Sequence, residues 1–275
     1  MLYSETKGTG DKYIIFVHGN SQSLETWDAV INEESLNSYT LITVDLQGHG
    51  KSNRSLKPET EYTLKGIGTQ IRDFIAKYNE FEYVIVATSI ATNFVAEIAA
   101  DLANCKGLFL IGACMIGEGY TTANILQPNP NLAAFFTPYP ADEEIDLLMN
   151  DMAHCIPDEL KKKCKNIFLS TDPLFRTTLS GAIAAEDWSD EIKNLENLSV
   201  PIAIVYGEEE KINQVNYLSN SAIKKWKNQI LLIPGAGHFA HLDQPNVVAD
   251  LLNDFAVDCF GNKSQLNVND GTANR

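Results

Sequence analysis

A chain of 275 residues can bury one sizeable core, so its length supports a single domain carrying an insertion. Its net charge of −15 argues against nucleic acid or an anionic membrane as partner, because either would require a basic patch. The five cysteines are odd in number and form no Cys-x-x-Cys pair, Met1 to Asp11 lacks the apolar core of a signal peptide, and no run approaches membrane-spanning length. A cytoplasmic protein is therefore expected.

Leu2-Tyr3 is expected to open a short edge strand. Tyr13 to Val17 reads as the first buried strand and runs into His18-Gly19-Asn20-Ser21. A loop after such a strand is where an α/β sheet carries its binding groups. Thr40 to Val44 is a second strand, ending in Asp45-Leu46-Gln47-Gly48-His49-Gly50-Lys51-Ser52, whose glycines mark a compact structural turn. Ile67, Ile71, Phe74, Ile75 and Tyr78 line one face of a helix. Tyr83 to Ala87 is an unbroken apolar run, too short for a helix and rich in β-branched residues, as in a strand buried on both faces of a parallel sheet. Phe94, Val95, Ile98 and Leu102 then recur at helical spacing, so Thr88 to Ala91 must turn the chain sharply. Leu108 to Ile111 continues the alternation of strand and helix, which predicts an α/β protein with a mostly parallel central sheet flanked by helices.

The rhythm breaks from Met115 to Glu186, where prolines, the pair Phe135-Phe136, and Ile145, Leu148, Met149 and Met152 at helical spacing predict a mainly helical cap over residues 115–186. Phe135, Phe136 and Met149 are the candidates for lining a substrate pocket, although most apolar cap residues must pack the cap's own core. Residues 1–114 and 187–260 form the predicted core domain. It resumes with a strand at Pro201 to Tyr206, followed by Gly207-Glu208-Glu209-Glu210-Lys211, and another at Gln229 to Ile233, followed by Pro234-Gly235-Ala236-Gly237-His238. Val247, Val248, Leu251, Leu252 and Phe255 mark a last amphipathic helix, and residues 261–275 read as a disordered tail.

The chemistry centres on Ala87-Thr88-Ser89-Ile90-Ala91. A serine at the tip of a strand-to-helix turn, with small residues two positions either side, has the form of a nucleophile elbow, with alanine where glycine is usual. The plainer reading is that Thr88 or Ser89 merely caps the following helix. A serine hydroxyl needs a base within hydrogen-bond reach and a carboxylate to orient that base. His238 and Glu210 lie on loops after later strands, in the order Ser, Glu, His expected of such a fold. His18 and His49 come too early, His154 lies in the expected cap, and His241 competes less well because Gly237 frees the loop at His238. Glu208 and Glu209 remain alternatives to Glu210, and all three fit a solvated acidic loop. The backbone N–H groups of Ile90 and Asn20 would form an oxyanion hole, and the Asn20 side chain would be a further pocket donor. No cofactor is implied, and the histidines form no metal-ligand cluster.

With His18-Gly19-Asn20-Ser21, Asp45-x-x-Gly48-His49-Gly50-x-Ser52, the elbow and Gly237-His238, the chain resembles the α/β-hydrolase superfamily over residues 10 to 258. Pro201-Ile202-Ala203-Ile204-Val205 followed by Gly207-x-x-Glu210, and Gly107-Leu108 through Gly112, resemble its N-acyl-homoserine-lactone lactonases. That resemblance implies a quorum-quenching lactonase with a Ser89, Glu210, His238 triad and no metal, acting on a small-molecule ester or lactone. Ala87 and Ala91 depart from the family's glycines. A carboxylesterase acting on another small ester, and a catalytically silent ligand-binding protein on the same scaffold, are the competing expectations.

Overall fold

The computed structural model describes residues 2–261 and arranges seven strands in one sheet, in the order β1-β3-β2-β4-β5-β6-β7. The strands are β1 (Ser4–Lys7), β2 (Tyr13–Val17), β3 (Thr40–Val44), β4 (Tyr83–Thr88), β5 (Cys105–Ile111), β6 (Ile202–Gly207) and β7 (Leu231–Ile233). All neighbours pair in parallel except β1, which runs antiparallel to β3 at the edge.

The two-residue period of a strand explains why the central strands are apolar throughout. Ile85 and Ala87 of β4 enter one buried layer with Ile15, Val17, Leu108 and Leu110, while Val84 and Val86 enter the other with Ile14, Phe16, Phe109 and Ile111. The helices Leu64–Ile75 and Ala91–Glu97 supply the first layer, and the long helix Pro245–Gly261 supplies the second. Between β5 and β6 the chain leaves the sheet and forms helices at Thr122–Ile125, Asp142–Met152, Asp158–Ser170, Pro173–Ala184 and Glu191–Glu196, with a 3₁₀ turn at Pro130–Phe136. No strand lies in that insertion, as its composition implied.

Several boundaries move. The edge strand begins at Ser4, not Leu2, because β3 ends at Val44 opposite Ser4; Tyr3 instead accepts from Asp45 N (2.9 Å) and donates to Ser52 Oγ (2.8 Å). β5 starts three residues before Leu108, and β7 starts at Leu231, because Lys227 and Asn228 turn with φ of 55° and 56° just before it. Gly261 closes the last helix and so does not belong to a tail; the rest of the expected disordered tail, residues 262–275, lies outside the described residues. Among the described residues no helix is long and apolar enough to cross a membrane.

Candidate active site

β4 ends at Thr88 and the next helix begins at Ala91, leaving Ser89 at φ 55°, in the left-handed region that serine seldom occupies. The surroundings hold it there. Ser89 N donates to Ile111 O at the end of β5 (2.8 Å), and Thr92 donates to Ser89 O through both its N–H (2.9 Å) and its hydroxyl (2.7 Å). Neither Ser89 nor Thr88 caps the helix, whose N-cap is Ile90 with no side-chain cap bond. Ala87 and Ala91 are wholly buried in the apolar layer under the sheet, so the elbow forms with a methyl at each position. The facing loop comes close to the elbow: a Cβ at Gly19 would lie 3.1 Å from both Ser89 Cβ and Thr88 O.

The loops after β6 and β7 bring two more side chains to the elbow. His238 Nε2 lies 2.9 Å from Ser89 Oγ, and His238 Nδ1 lies 2.9 and 3.0 Å from the two carboxylate oxygens of Glu210. Glu210 is anchored from behind, since its Oε1 also accepts from Ile212 N (2.8 Å) and Asn213 N (3.2 Å). Glu208 and Glu209 face solvent. At Gly112, with φ 60°, a Cβ would sit 2.7 Å from His238 Cε1, so the exit of β5 must be bare for the imidazole to fit.

The remaining histidines do other work. His241 is buried 4.6 Å from the Trp27 ring with Nε2 on Thr26 Oγ1 (2.8 Å), and burial pushes its pKa down to about 3. His18 Nε2 accepts from Leu46 N, and His49 Nε2 accepts from Ser21 N. Burial drives both pKa values below the ordinary range and keeps the rings neutral. These two tie the Asp45–Ser52 turn to the loop after β2, the structural role the turn's glycines suggested. His154 is exposed.

Among the described residues no hydrogen bond from the backbone N–H of Ile90 or Asn20 is seen. The Asn20 side chain is occupied: Nδ2 donates to Phe135 O (3.0 Å) and Oδ1 accepts from Ser21 Oγ (2.9 Å). A cavity of about 320 Å³ opens above Ser89 and His238, with Asn20, Ile90, Phe135 and Phe136 in its lining. Met149 is not among its walls. That residue packs into a separate small space with Ser23, Thr26, Phe239 and Leu242, and Met152, one turn later, reaches the cavity instead. Phe135 lines both spaces.

The cavity residues without a distinct sequence signal include Asn93, Cys114 and Ile116. Behind them is the buried carboxyl of Glu191, which accepts from Asn93 Nδ2 and Ile116 N, each at 2.7 Å. Burial raises its pKa well above the ordinary carboxylate value. Among the described residues no group of three or more His, Cys, Asp or Glu side chains is placed to hold a metal ion.

A serine on a strained turn, a buried histidine and an anchored carboxylate at the carboxyl ends of a parallel sheet define an ester-hydrolysing enzyme of the α/β-hydrolase class. The chain belongs to the alpha/beta hydrolase fold family, whose profile matches residues 12–245. Its curated relatives include monoacylglycerol lipase ABHD6 of Bos taurus, 22% identical over 259 residues that cover 88% of this chain and 74% of the relative. Among solved structures it resembles N-acyl homoserine lactonase AidH in complex with N-butanoyl homoserine, with a TM-score of 0.85 and 19% identity over 98% of this chain and 95% of that one. An esterase from Exiguobacterium antarcticum superposes with a TM-score of 0.74 and 17% identity over 93% and 95% of the two chains.

Proposed function

We propose that this protein is a serine hydrolase that opens the lactone ring of N-acyl-homoserine lactones, with Ser89 as nucleophile and no metal or cofactor. The observation that carries this reading is the hydrogen-bonded series Ser89 Oγ, His238 Nε2, His238 Nδ1, Glu210 at the floor of a largely apolar cavity. Support for the lactone comes from the likeness in fold to AidH and from apolar walls suited to an acyl chain.

Ser89 Oγ attacks the ester carbonyl while His238 Nε2 takes its proton, and Glu210 stabilises the resulting imidazolium without taking a proton itself. The carbonyl oxygen becomes an oxyanion held by the Ile90 and Asn20 N–H groups. The ring C–O bond breaks, the alkoxide recovers the proton from His238, and an acyl-enzyme remains whose leaving hydroxyl is still tethered. That tether favours reclosure, so water, deprotonated by His238, must capture the intermediate quickly; the acyl–Oγ bond then breaks and His238 returns the proton to Ser89 Oγ. The product is the acyl-homoserine, one water heavier than the lactone. We assign residues 115–186 to a cap over the site, and residues 1–114 with 187–260 to the core.

A carboxylesterase is the second reading, favoured by the relation to a monoacylglycerol lipase. Fluorophosphonate labelling that is lost in Ser89→Ala separates an enzyme from a ligand-binding protein, and Ser89→Ala lowers kcat on the order of a million-fold. Mass spectrometry of N-hexanoyl homoserine lactone after incubation decides the substrate. Acyl-homoserine is the expected product; hexanoic acid with homoserine lactone would mean an acylase, and intact lactone beside cleaved aryl esters would mean the esterase. EDTA leaves the rate unchanged, whereas loss restored by zinc would overturn the mechanism.

A further inference from the structure

Arg176 is 3% exposed, and its hydrogen bonds go to uncharged oxygens. Its Nε donates to Thr137 O (2.9 Å), Nη2 to Pro138 O (2.7 Å), and Nη1 to both Phe168 O and Ser21 Oγ (3.2 Å each). The guanidinium also lies 4.7 Å over the Phe168 ring. A buried cation needs its donors filled, and only the planar fork of arginine reaches several acceptors at once. Three of these acceptors belong to the insertion between β5 and β6, while the fourth, Ser21, belongs to the loop after β2.

That fourth contact leads to the reacting centre. Ser21 receives Arg176 on its hydroxyl, which donates in turn to Asn20 Oδ1 (2.9 Å); Asn20 Nδ2 then donates back into the insertion at Phe135 O (3.0 Å). Ser21 is held at φ 56°, with its N–H on His49 Nε2 (3.1 Å). The peptide that carries the Asn20 N–H is held at its other end, where His18 Nδ1 donates to Gly19 O (2.8 Å). Core histidines therefore hold the loop from one side, and Arg176 with the Phe135 carbonyl hold it from the other.

We propose that Arg176 is a positioning residue for the oxyanion hole: acting through the Ser21 hydroxyl, it sets the Asn20 peptide, so the hole is completed by the helical insertion seated on the core. The inference rests on the reading of Ser89 as nucleophile and of Asn20 N–H as oxyanion donor. Donors aimed at the developing charge act on the transition state more than on bound substrate, so their misplacement lowers kcat and spares KM.

The test uses p-nitrophenyl butyrate as substrate and butylboronic acid as an inhibitor whose tetrahedral adduct on Ser89 places an oxygen in the hole. Ser21→Ala and Arg176→Ala should each lower kcat by about tenfold or more, with KM within about twofold of wild type. Arg176→Lys, which keeps the charge and loses the fork, should match Arg176→Ala. The inhibition constant should rise in step with the loss of kcat, and Ser21→Ala added to Arg176→Ala should cost nothing more, because both act along one path. Should Arg176→Ala not fold, Ser21→Ala decides alone. Wild-type kcat and boronate affinity in Ser21→Ala, a loss confined to KM, or single effects that multiply in the double variant would overturn the proposal. Retained turnover in Ser89→Ala would instead bring down the nucleophile reading beneath it.

Discussion

At Glu210 one carboxylate serves two structures, the imidazole on one side and the amides of Ile212 and Asn213 on the other. Glu210→Gln keeps the shape and loses the charge that orients and stabilises His238. Its kcat should fall on the order of ten-thousand-fold, less than for Ser89→Ala, while exposed Glu208→Gln and Glu209→Gln stay within about twofold. A damaging Glu209→Gln in steady-state assays would mean that another acid serves the histidine. The elbow alanines give a second test. Ala87 is buried between Val17 and Leu110 in register, so Ala87→Gly removes a packed methyl and adds backbone freedom to a central strand. The methyl contributes ~0.8 kcal/mol and the glycine costs a further ~0.5–1, giving about 1.5 kcal/mol of destabilisation by urea unfolding. A higher urea midpoint in Ala87→Gly would show instead that the methyl is a strain.

At the scale of elements, the site is a meeting of loop ends from β2, β4, β5, β6 and β7, and the spacing between those loops is set by glycines. Gly112 at the exit of β5 is the tightest case for catalysis. In Gly112→Ala the new methyl would both meet the His238 ring and occupy a left-handed backbone, a conformation costing ~1–2 kcal/mol for an L-residue. The ring must move off its line between Ser89 and Glu210, so kcat should fall on the order of a hundred-fold. A crystal structure of Gly112→Ala with His238 unmoved, together with wild-type turnover, would refute this account of the loop spacing.

For the whole molecule, the buried imidazoles determine how stability responds to acid. His18, His49 and His241 are neutral in the fold with depressed pKa values, whereas in the unfolded chain each takes a proton near pH 6.5. The unfolded state therefore binds more protons below that pH, and stability is lost as pH falls from about 6.5 towards the folded value, near 3 for His241. His241 alone should cost about 2 kcal/mol at pH 5. Glu191 acts with the opposite sign: its raised pKa keeps a proton that the unfolded chain releases above 4.5, so its cost grows as pH rises. Urea midpoints measured from pH 5 to 7 should fall towards acid, with the fall shallower in His241→Gln and steeper in Glu191→Gln. An acid limb as steep in His241→Gln as in the wild type would remove His241 from this account.

Local pattern alone was enough for β2 and β3, whose ends agree to the residue with the apolar runs Tyr13 to Val17 and Thr40 to Val44, because a strand buried on both faces carries its whole signal within itself. The same holds for the elbow and for the order of serine, acid and histidine, which follow from turns placed directly after strands. Phe135 and Phe136 were legible as cavity residues because two aromatics together in a helical insertion need cover. Met149 was expected there wrongly and Met152 was missed, since the two differ by less than one turn and the choice between them falls to Phe239 and Leu242, nearly a hundred positions away. Three adjacent glutamates look alike in sequence; Glu209 N on Ala236 O and the amides behind Glu210 single out the third. Arg176 lies 155 positions from Ser21, and Glu191 lies 98 from Asn93. Contacts at such separations leave no periodicity along the chain, because they are settled only when the insertion folds back over the sheet.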